Sequence, residues 1–236
     1  MKRIRVAIDG PAGVGKTTTA KSLAERLGLL YIDTGAMYRA LAVLAVARGI
    51  SPDDAEASSA LAQRINVQLE PDDSGALRVL ADSQDLTTAI RTPEASDGAS
   101  RISVHPGVRK ELVSWQRALA AKRGVVMEGR DIGTVVLPDA EAKVFLTASA
   151  EERARRRHRE LAARGVRVTL DEVVRDIEAR DARDRGRETS PLRPAPDAVV
   201  VDCTAFELNE QVAAVSRVVE ALVTLPRKTR PTRTSS

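Results

Sequence analysis

Between the apolar run Arg3 to Ile8 and the amphipathic pattern Thr17 to Leu27 stands Gly10-Pro11-Ala12-Gly13-Val14-Gly15-Lys16-Thr17, which satisfies G-x-x-x-x-G-K-[ST]. A strand precedes this loop and a helix follows it, the context in which the motif has a mechanism. Its glycines let successive backbone N–H groups turn inward with no Cβ in the way, and the helix N-terminus adds positive potential. Lys16 is expected to extend into a solvated phosphate loop and reach the β- and γ-phosphates, with the Thr17 hydroxyl binding Mg²⁺. The plainer alternative is a glycine-rich turn that caps a helix. The motif points to a nucleoside triphosphate and leaves open what is done with it.

The remaining pattern supports one α/β architecture. Further strands are predicted at Leu29 to Ile32, Val125 to Met127, Lys143 to Leu146 and Ala198 to Val201. The first, second and fourth of these are short and lack clean polar alternation, as expected of strands covered on both faces. Helical patterns besides the first lie at Met37 to Arg48, Val108 to Lys122, Ala150 to Ala163, Asp171 to Asp184 and Glu207 to Leu225. The succession predicts a P-loop NTPase-type parallel sheet wrapped by helices. One segment breaks the alternation: Ile65 to Leu69 and Leu77 to Leu80 flank the turn signal "EPDDSG", and Gln84 to Ile90 offers a third strand. A small antiparallel insert at about residues 61–92 is predicted.

Charge and cysteine usage narrow the class. The formal excess of +4 is matched by the four basic residues of the acid-free tail "PRKTRPTRTSS", so the body is formally neutral. With prolines, Ser and Thr and almost no apolar residues, the tail from 226 to 236 is expected to be disordered. No specific nucleic-acid partner is expected, and 2% aromatic residues leave little for base stacking. A single cysteine, Cys203, excludes an intrachain disulfide. The N-terminus lacks the apolar length of a signal peptide, and no run reaches a membrane span of roughly 18 apolar residues. A cytoplasmic protein, expected to be monomeric, is the resulting reading.

Three further motifs carry chemistry. "YIDTGAMYR", Tyr31 to Arg39, lies just beyond a predicted strand at the ligand-bearing edge of a parallel sheet. Thr34 or Asp33 there serves as a helix cap, or Tyr38 and Arg39 contact a second substrate and its phosphate. "EGRDIGTVVLPDA" opens with Glu128, Arg130 and Asp131 beside a buried strand end, either as a mutual salt bridge or as a substrate clamp. From Arg153 to Arg187 there are twelve arginines against seven acids. Helical spacing to Glu151, Glu152 and Glu160 makes several of these a solvated face. Arg180, Asp184 and Arg187, spaced four and three apart, share one face able to clamp a polyanion. Gly165 and its polar neighbours suggest a loop that moves as a lid, with 150–168 as the lid region.

Together "DGPAGVGK", "DTGAMYR", "IRTPE", "GRDIGTVV" and "RDARDRGR", in this order from about Arg3 to Leu222, resemble the bacterial cytidylate kinase family. The resemblance implies one kinase domain at 1–225 with a helical lid and a nucleoside-monophosphate region at 35–100 that carries the insert. It implies ATP-dependent phosphorylation of CMP, and of dCMP, with Mg²⁺. By motif, the monophosphate site falls on Thr34, Tyr38, Arg39, Ser100, Arg109, Arg130, Asp131, Arg180, Asp184 and Arg187. Thr34 stands where many relatives carry serine, which keeps the hydroxyl, while Ser100 and Arg109 lie outside any sharp motif. The triphosphate site falls on Gly10 to Thr18 (Gly10, Pro11, Ala12, Gly13, Val14, Gly15, Lys16, Thr17 and Thr18) and on lid arginines such as Arg157. Lys16, Arg130, Arg180 and Arg187 are the implied catalytic residues.

The alternatives are a kinase for another monophosphate such as UMP, or a small-metabolite P-loop kinase. The latter needs a carboxylate base, for which Asp33 is the candidate. A GTPase switch requires N-K-x-D, which the sequence lacks. A phosphate-monoester acceptor is already anionic, so neither His105 nor His158 has to act. Because the net charge is confined to a segment without core residues, cutting the chain after Leu225 should leave kcat and the mononucleotide KM unchanged in a coupled ADP-release assay. A large kinetic loss would place the tail in the site.

Overall fold

A computed structural model describes residues 4–71 and 77–224. In chain order, β1 (Arg5–Asp9) leads through the glycine-rich loop into α1 (Lys16–Leu27), then β2 (Leu30–Asp33), α2 (Thr34–Ala47) and α3 (Ala55–Arg64). Next come β3 (Val67–Pro71), β4 (Leu77–Ala81), β5 (Gln84–Asp85), α4 (Pro93–Ile102) and α5 (Pro106–Lys122). The rest comprises β6 (Val125–Gly129), β7 (Ala142–Thr147), α6 (Ala150–Ala163), α7 (Leu170–Arg185), β8 (Val199–Asp202) and α8 (Leu208–Thr224). A five-stranded sheet has the order β2-β6-β1-β7-β8, and the β1–β6, β1–β7 and β7–β8 pairs are parallel. The chain divides into two compact units, Met1–Tyr31 with Ala120–Ser236, and Ile32–Leu119.

The first unit is organised by its central strands. Val6, Ala7 and Ile8 of β1 and Val125, Val126 and Met127 of β6 are all fully buried. Such runs read as unbroken apolar stretches because helices cover both faces. Ala20, Leu23 and Ala24 of α1 and Val215, Val219 and Leu222 of α8 join Val6, Ile8 and Val126 in one core. Gly28, at φ 63°, ends α1 and turns the chain into β2. Helices α6 and α7 pair through a small cluster of Ala154, Leu161, Val173 and Ile177. The connection between them is closely tied: Thr169 and Glu172 form a capping box at α7, and the His158 ring meets the Val168 carbonyl at 3.0 Å.

The second unit centres on α2, where Ala36, Met37, Ala40, Leu41 and Ala45 are completely buried. A Cβ on Gly98 of α4 would stand 3.0 Å from the Ala42 Cβ, so this glycine permits the close approach of α2 and α4. The insert is a three-stranded antiparallel sheet in the order β3-β4-β5.

Several boundaries differ from the sequence reading, each for a local reason. Helix α2 starts at Thr34 instead of Met37 because Asp33 caps it, its Oδ1 accepting the Ala36 amide at 3.0 Å. The third insert strand is only Gln84–Asp85, and the segment expected to extend it ends in a 3₁₀ turn at Ala89–Arg91. Residues 61–64 close α3 and do not belong to the insert. Neither α3 nor α4 was anticipated, although Asp54, and Thr92 followed by Pro93, supply their N-caps. Most of the "EPDDSG" turn and the basic tail lie outside the described residues.

Candidate active site

In the first unit the loop between β1 and α1 takes the backbone its glycines allow. Gly13 and Gly15 have φ of +74° and +90°. A Cβ on Gly10 would stand 2.3 Å from the Leu146 carbonyl oxygen, so the loop begins pressed against the end of β7. Thr17 and Thr18 are exposed at the first turn of α1. Lys16 does not extend into solvent as expected. It is 6% exposed and its Nζ donates to the Pro11 carbonyl at 2.7 Å. Burial, reinforced by the Arg130 guanidinium, holds the Lys16 ammonium well below the ordinary lysine pKa, against the pull of Glu128.

Around that lysine the end of β6 and the C-terminal turns of α7 deliver the charged motif residues. Arg130 donates through Nε to Asp184 Oδ2 at 2.8 Å, and Arg187 donates to the other oxygen of the same carboxylate. Asp184 is 1% exposed; burial works against its charge, but Arg130 and Arg187 more than offset it and hold its pKa below the ordinary value. Arg130 likewise stays charged, Asp184 overcoming the cost of its burial. Arg180 acts electrostatically on both Lys16 and Asp184. Glu128 accepts the Tyr31 hydroxyl at 2.6 Å. Arg130 thus finds an acid in α7, with Glu128 adding to its electrostatic support. Asp131 opens a π-helical turn at Ile132–Val136.

Asp9 and Arg153 of this unit are among the residues that escaped the sequence reading. Asp9, the last residue of β1, accepts the amides of Ile132 and Gly133, both at 2.7 Å, and so fastens the "GRDIG" segment to the P-loop strand. A Cβ on Gly133 would lie 3.3 Å from Asp9 Oδ2, which accounts for that glycine. Arg153, hidden among the α6 arginines, is the one that reaches the P-loop, donating to Ala12 O at 3.1 Å. Arg157, the lid arginine expected at the triphosphate, pairs instead with Glu160 along its own helix at 2.9 Å. The two stand three positions apart, the spacing of a helix-face ion pair.

In the second unit "DTGAMYR" folds on itself. Asp33 both caps α2 and receives Arg39 Nη2 on Oδ2 at 2.8 Å. A Cβ on Gly35 would stand 2.9 Å from Arg39 Nη1, so the glycine makes room for the guanidinium. Thr34 is buried at the start of the helix. Arg109, 5% exposed, donates to the Tyr38 hydroxyl and to the Ser103 carbonyl, both at 3.4 Å. The Ser100 hydroxyl is buried without a hydrogen-bond partner among the described residues, a cost that a bound polar ligand would remove. His105 is buried with its Nε2 at 2.8 Å from the Pro52 carbonyl, a structural position.

No group of three or more His, Cys, Asp or Glu among the described residues forms a candidate metal cage. The donor set is compatible with Mg²⁺ in another way, since the exposed Thr17 hydroxyl at the start of α1 can offer it one hard oxygen. Among the described residues no helix is long and apolar enough to cross a membrane.

Burial pushes Asp9 up to about 7, with Asp131 adding to it while the two amides and Lys16 oppose it. The folded state therefore holds this proton more tightly than the unfolded chain, and the resulting stability, full below about pH 4, is lost as pH rises through about 7. The Asp9 carboxyl ¹³C resonance is expected to titrate near neutrality. A midpoint near 4 would mean that the amides and Lys16 outweigh burial.

A family model described as cytidylate kinase matches residues 6–221. A cytidylate kinase of Carboxydothermus hydrogenoformans is 49% identical over 216 residues, covering 92% of this chain and 97% of that protein. One of Pelotomaculum thermopropionicum is 52% identical over 210 residues, covering 89% and 93%. One of Geobacillus kaustophilus is 50% identical over 218 residues, covering 92% and 97%.

Proposed function

The chain belongs to the cytidylate kinase family, and from that premise we propose how its residues move a phosphoryl group from ATP to CMP. The enzyme phosphorylates CMP, releasing CDP and ADP. The observation that carries the mechanism is the gathering of Lys16, Arg130, Arg180 and Arg187 about the buried carboxylate of Asp184.

An oxygen of the CMP phosphate attacks the γ-phosphorus of ATP, and the bond from that phosphorus to the β–γ bridging oxygen breaks. ADP leaves with the bonding electrons. The nucleophile is already an anion at neutral pH, so no general base is required. The barrier lies in bringing two polyanions together. The amides of the Gly10–Thr18 loop hold the donor's β-phosphate while Lys16 leaves Pro11 O for the phosphate oxygens. Arg130, Arg180 and Arg187 neutralise charge on the transferring group, with Asp184 holding Arg130 and Arg187 by hydrogen bonds. Mg²⁺, held through Thr17 and phosphate oxygens, supplies further charge neutralisation when bound. Arg157 remains a lid arginine that would have to exchange Glu160 for phosphate.

For the second unit, Arg39 and Tyr38 are assigned to the CMP phosphate, and Ser100 and Arg109 to hydrogen bonds with the pyrimidine. Thr34 supplies a hydroxyl at the same helix start. dCMP is included as a substrate. The metabolite-kinase alternative loses its base, because both oxygens of Asp33 are engaged by the α2 cap and by Arg39. A cytoplasmic monomer is proposed. Cys203 fits a reducing compartment, being buried with its thiol pushed up to about 11 by burial.

Lys16→Ala is expected to keep the fold, since the substitution removes a desolvation cost along with one hydrogen bond. It should lose roughly three orders of magnitude in kcat/KM. Near-wild-type turnover in a coupled assay, with an unchanged melting curve, would remove Lys16 from the mechanism.

Base choice supplies a second test. Asp131 is assigned to accept from the cytosine N4 amino group, which uracil replaces with an oxygen acceptor. CMP should exceed UMP by at least about tenfold in kcat/KM, and Asp131→Ala should shrink that ratio mainly by weakening CMP. Equal losses for both substrates would make Asp131 a support for the neighbouring backbone and not the base reader.

A further inference from the structure

We propose that Arg153 and Gln211, neither of which belongs to a nucleotide-binding motif, are positioning residues that fix the direction of the P-loop amides from behind. The inference rests on the reading of this loop as the ATP cradle.

The two halves of a trans peptide point opposite ways, so whatever holds a carbonyl also aims the N–H of the following residue. Arg153 Nη1 holds the Ala12 carbonyl at 3.1 Å, which turns the Gly13 N–H away from α6. Gln211 Nε2, from α8, holds the Val14 carbonyl at 3.0 Å, which turns the Gly15 N–H away from α8. Gly13 and Gly15 are the two loop residues inside the motif at φ +74° and +90°. Their missing side chains are also what lets the braces close. A Cβ on Gly13 would stand 3.0 Å from Arg153 O, and one on Gly15 would stand 2.7 Å from Gln211 Nε2. The same glycines thus serve the phosphate on one side and the brace on the other.

Each brace is itself held. Arg153 forms a buried two-pronged pair with Asp181 of α7 at 3.1 and 2.8 Å, and its Nε donates to Ala148 O at 3.0 Å. Gln211 is fully buried, and its Oε1 accepts from Arg156 Nη1 at 3.2 Å. An arginine offers only donors, so the glutamine must present its oxygen to Arg156 and its NH₂ to the loop. That NH₂ also donates to Thr19 Oγ1 at 2.9 Å, and Thr19 Oγ1 donates to Gly15 O at 3.0 Å. Arg156 is anchored by Glu152 at 3.0 Å and by the carbonyls of Cys203 and Phe206 at 2.7 and 2.8 Å. Converging N–H dipoles repel one another, so a loop without such braces would relax by turning peptides over. Holding the carbonyls outward moves that cost into folding and leaves the cradle ready for an anion.

Gln211→Met keeps the side-chain length and removes the donor. The variant is expected to bind ATP about tenfold more weakly than wild type by calorimetry while its CMP affinity stays within about twofold. In ¹H–¹⁵N spectra the Gly15 amide should move and exchange faster, with Gly13 less affected. Arg153→Lys, which keeps the charge beside Asp181 but cannot span both partners, should reverse that order and disturb Gly13. If Gln211→Met does not fold, Arg153→Lys decides by the same two readouts. ATP affinity within twofold of wild type with unshifted glycine amides overturns the proposal, as does a parallel loss of ATP and CMP affinity. A wild-type chain that itself fails to bind ATP would instead overturn the reading of the cradle.

Discussion

Cations assembled to meet a polyphosphate must be kept out of water before the anion arrives, and the arrangement in this chain depends on how that cost is met. Asp184 meets much of it. One carboxylate, 1% exposed, takes Arg130 on one oxygen and Arg187 on the other. An isolated buried guanidinium would be expensive, whereas two that share a carboxylate retain their charge and a fixed direction. Among the described residues Lys16 has no carboxylate at bonding distance. It rests on a carbonyl, with its ammonium form disfavoured by burial and by Arg130. The loop lysine is thus the cation most ready to exchange its contact for phosphate, and the arginines are the fixed frame.

The sheet explains how distant segments supply this frame. β1 and β6 are adjacent and parallel, so their carboxyl ends place the P-loop and the "GRD" segment side by side. Asp9 then ties the two together, its oxygens capping the amides at the start of the Ile132–Val136 turn. Since those amides follow directly on Asp131, the carboxylate of β1 sets where Arg130 and Asp131 stand. A carboxylate pushed up to about 7 in such a position links the local backbone to pH.

What the sequence disclosed and what it concealed follow from the same physics. Apolar runs buried on both faces made β1, β6 and β7 legible to within one or two residues, and α6 was placed at its observed limits. Helices α3 and α4 were missed because their apolar content is thin. Ala and Ser dominate α3, Ala, Ser and Gly make up half of α4, and the caps at Asp54 and Thr92 mark them. In the proposed site, the residues assigned to phosphate were legible because phosphate chemistry favours glycine, lysine and arginine at set spacings. The residues that hold those groups obey no such rule. Gln211 lies 197 positions from the carbonyl it holds, and nothing in its neighbourhood distinguishes it from a surface glutamine.

Arginine density shows the same division within one segment. Arg155, Arg157 and Arg164 pair with Glu151, Glu160 and Glu160 at helical spacing on the outside of α6. Exposed pairs of that kind contribute little to stability, and their spacing is readable because both partners lie on one helix. Arg153, two positions before Arg155, has a side chain 3% exposed and finds its acid 28 residues away in α7. Spacing alone does not tell these arginines apart, yet burial separates a solvated set from Arg153 and from Arg156, which is held by Gln211 and the carbonyls of Cys203 and Phe206. The distinction turns on which side of α6 meets α7 and the P-loop. Ala154, Leu161, Val173 and Ile177 determine that side, and the charged residues then follow from the packing of four apolar ones.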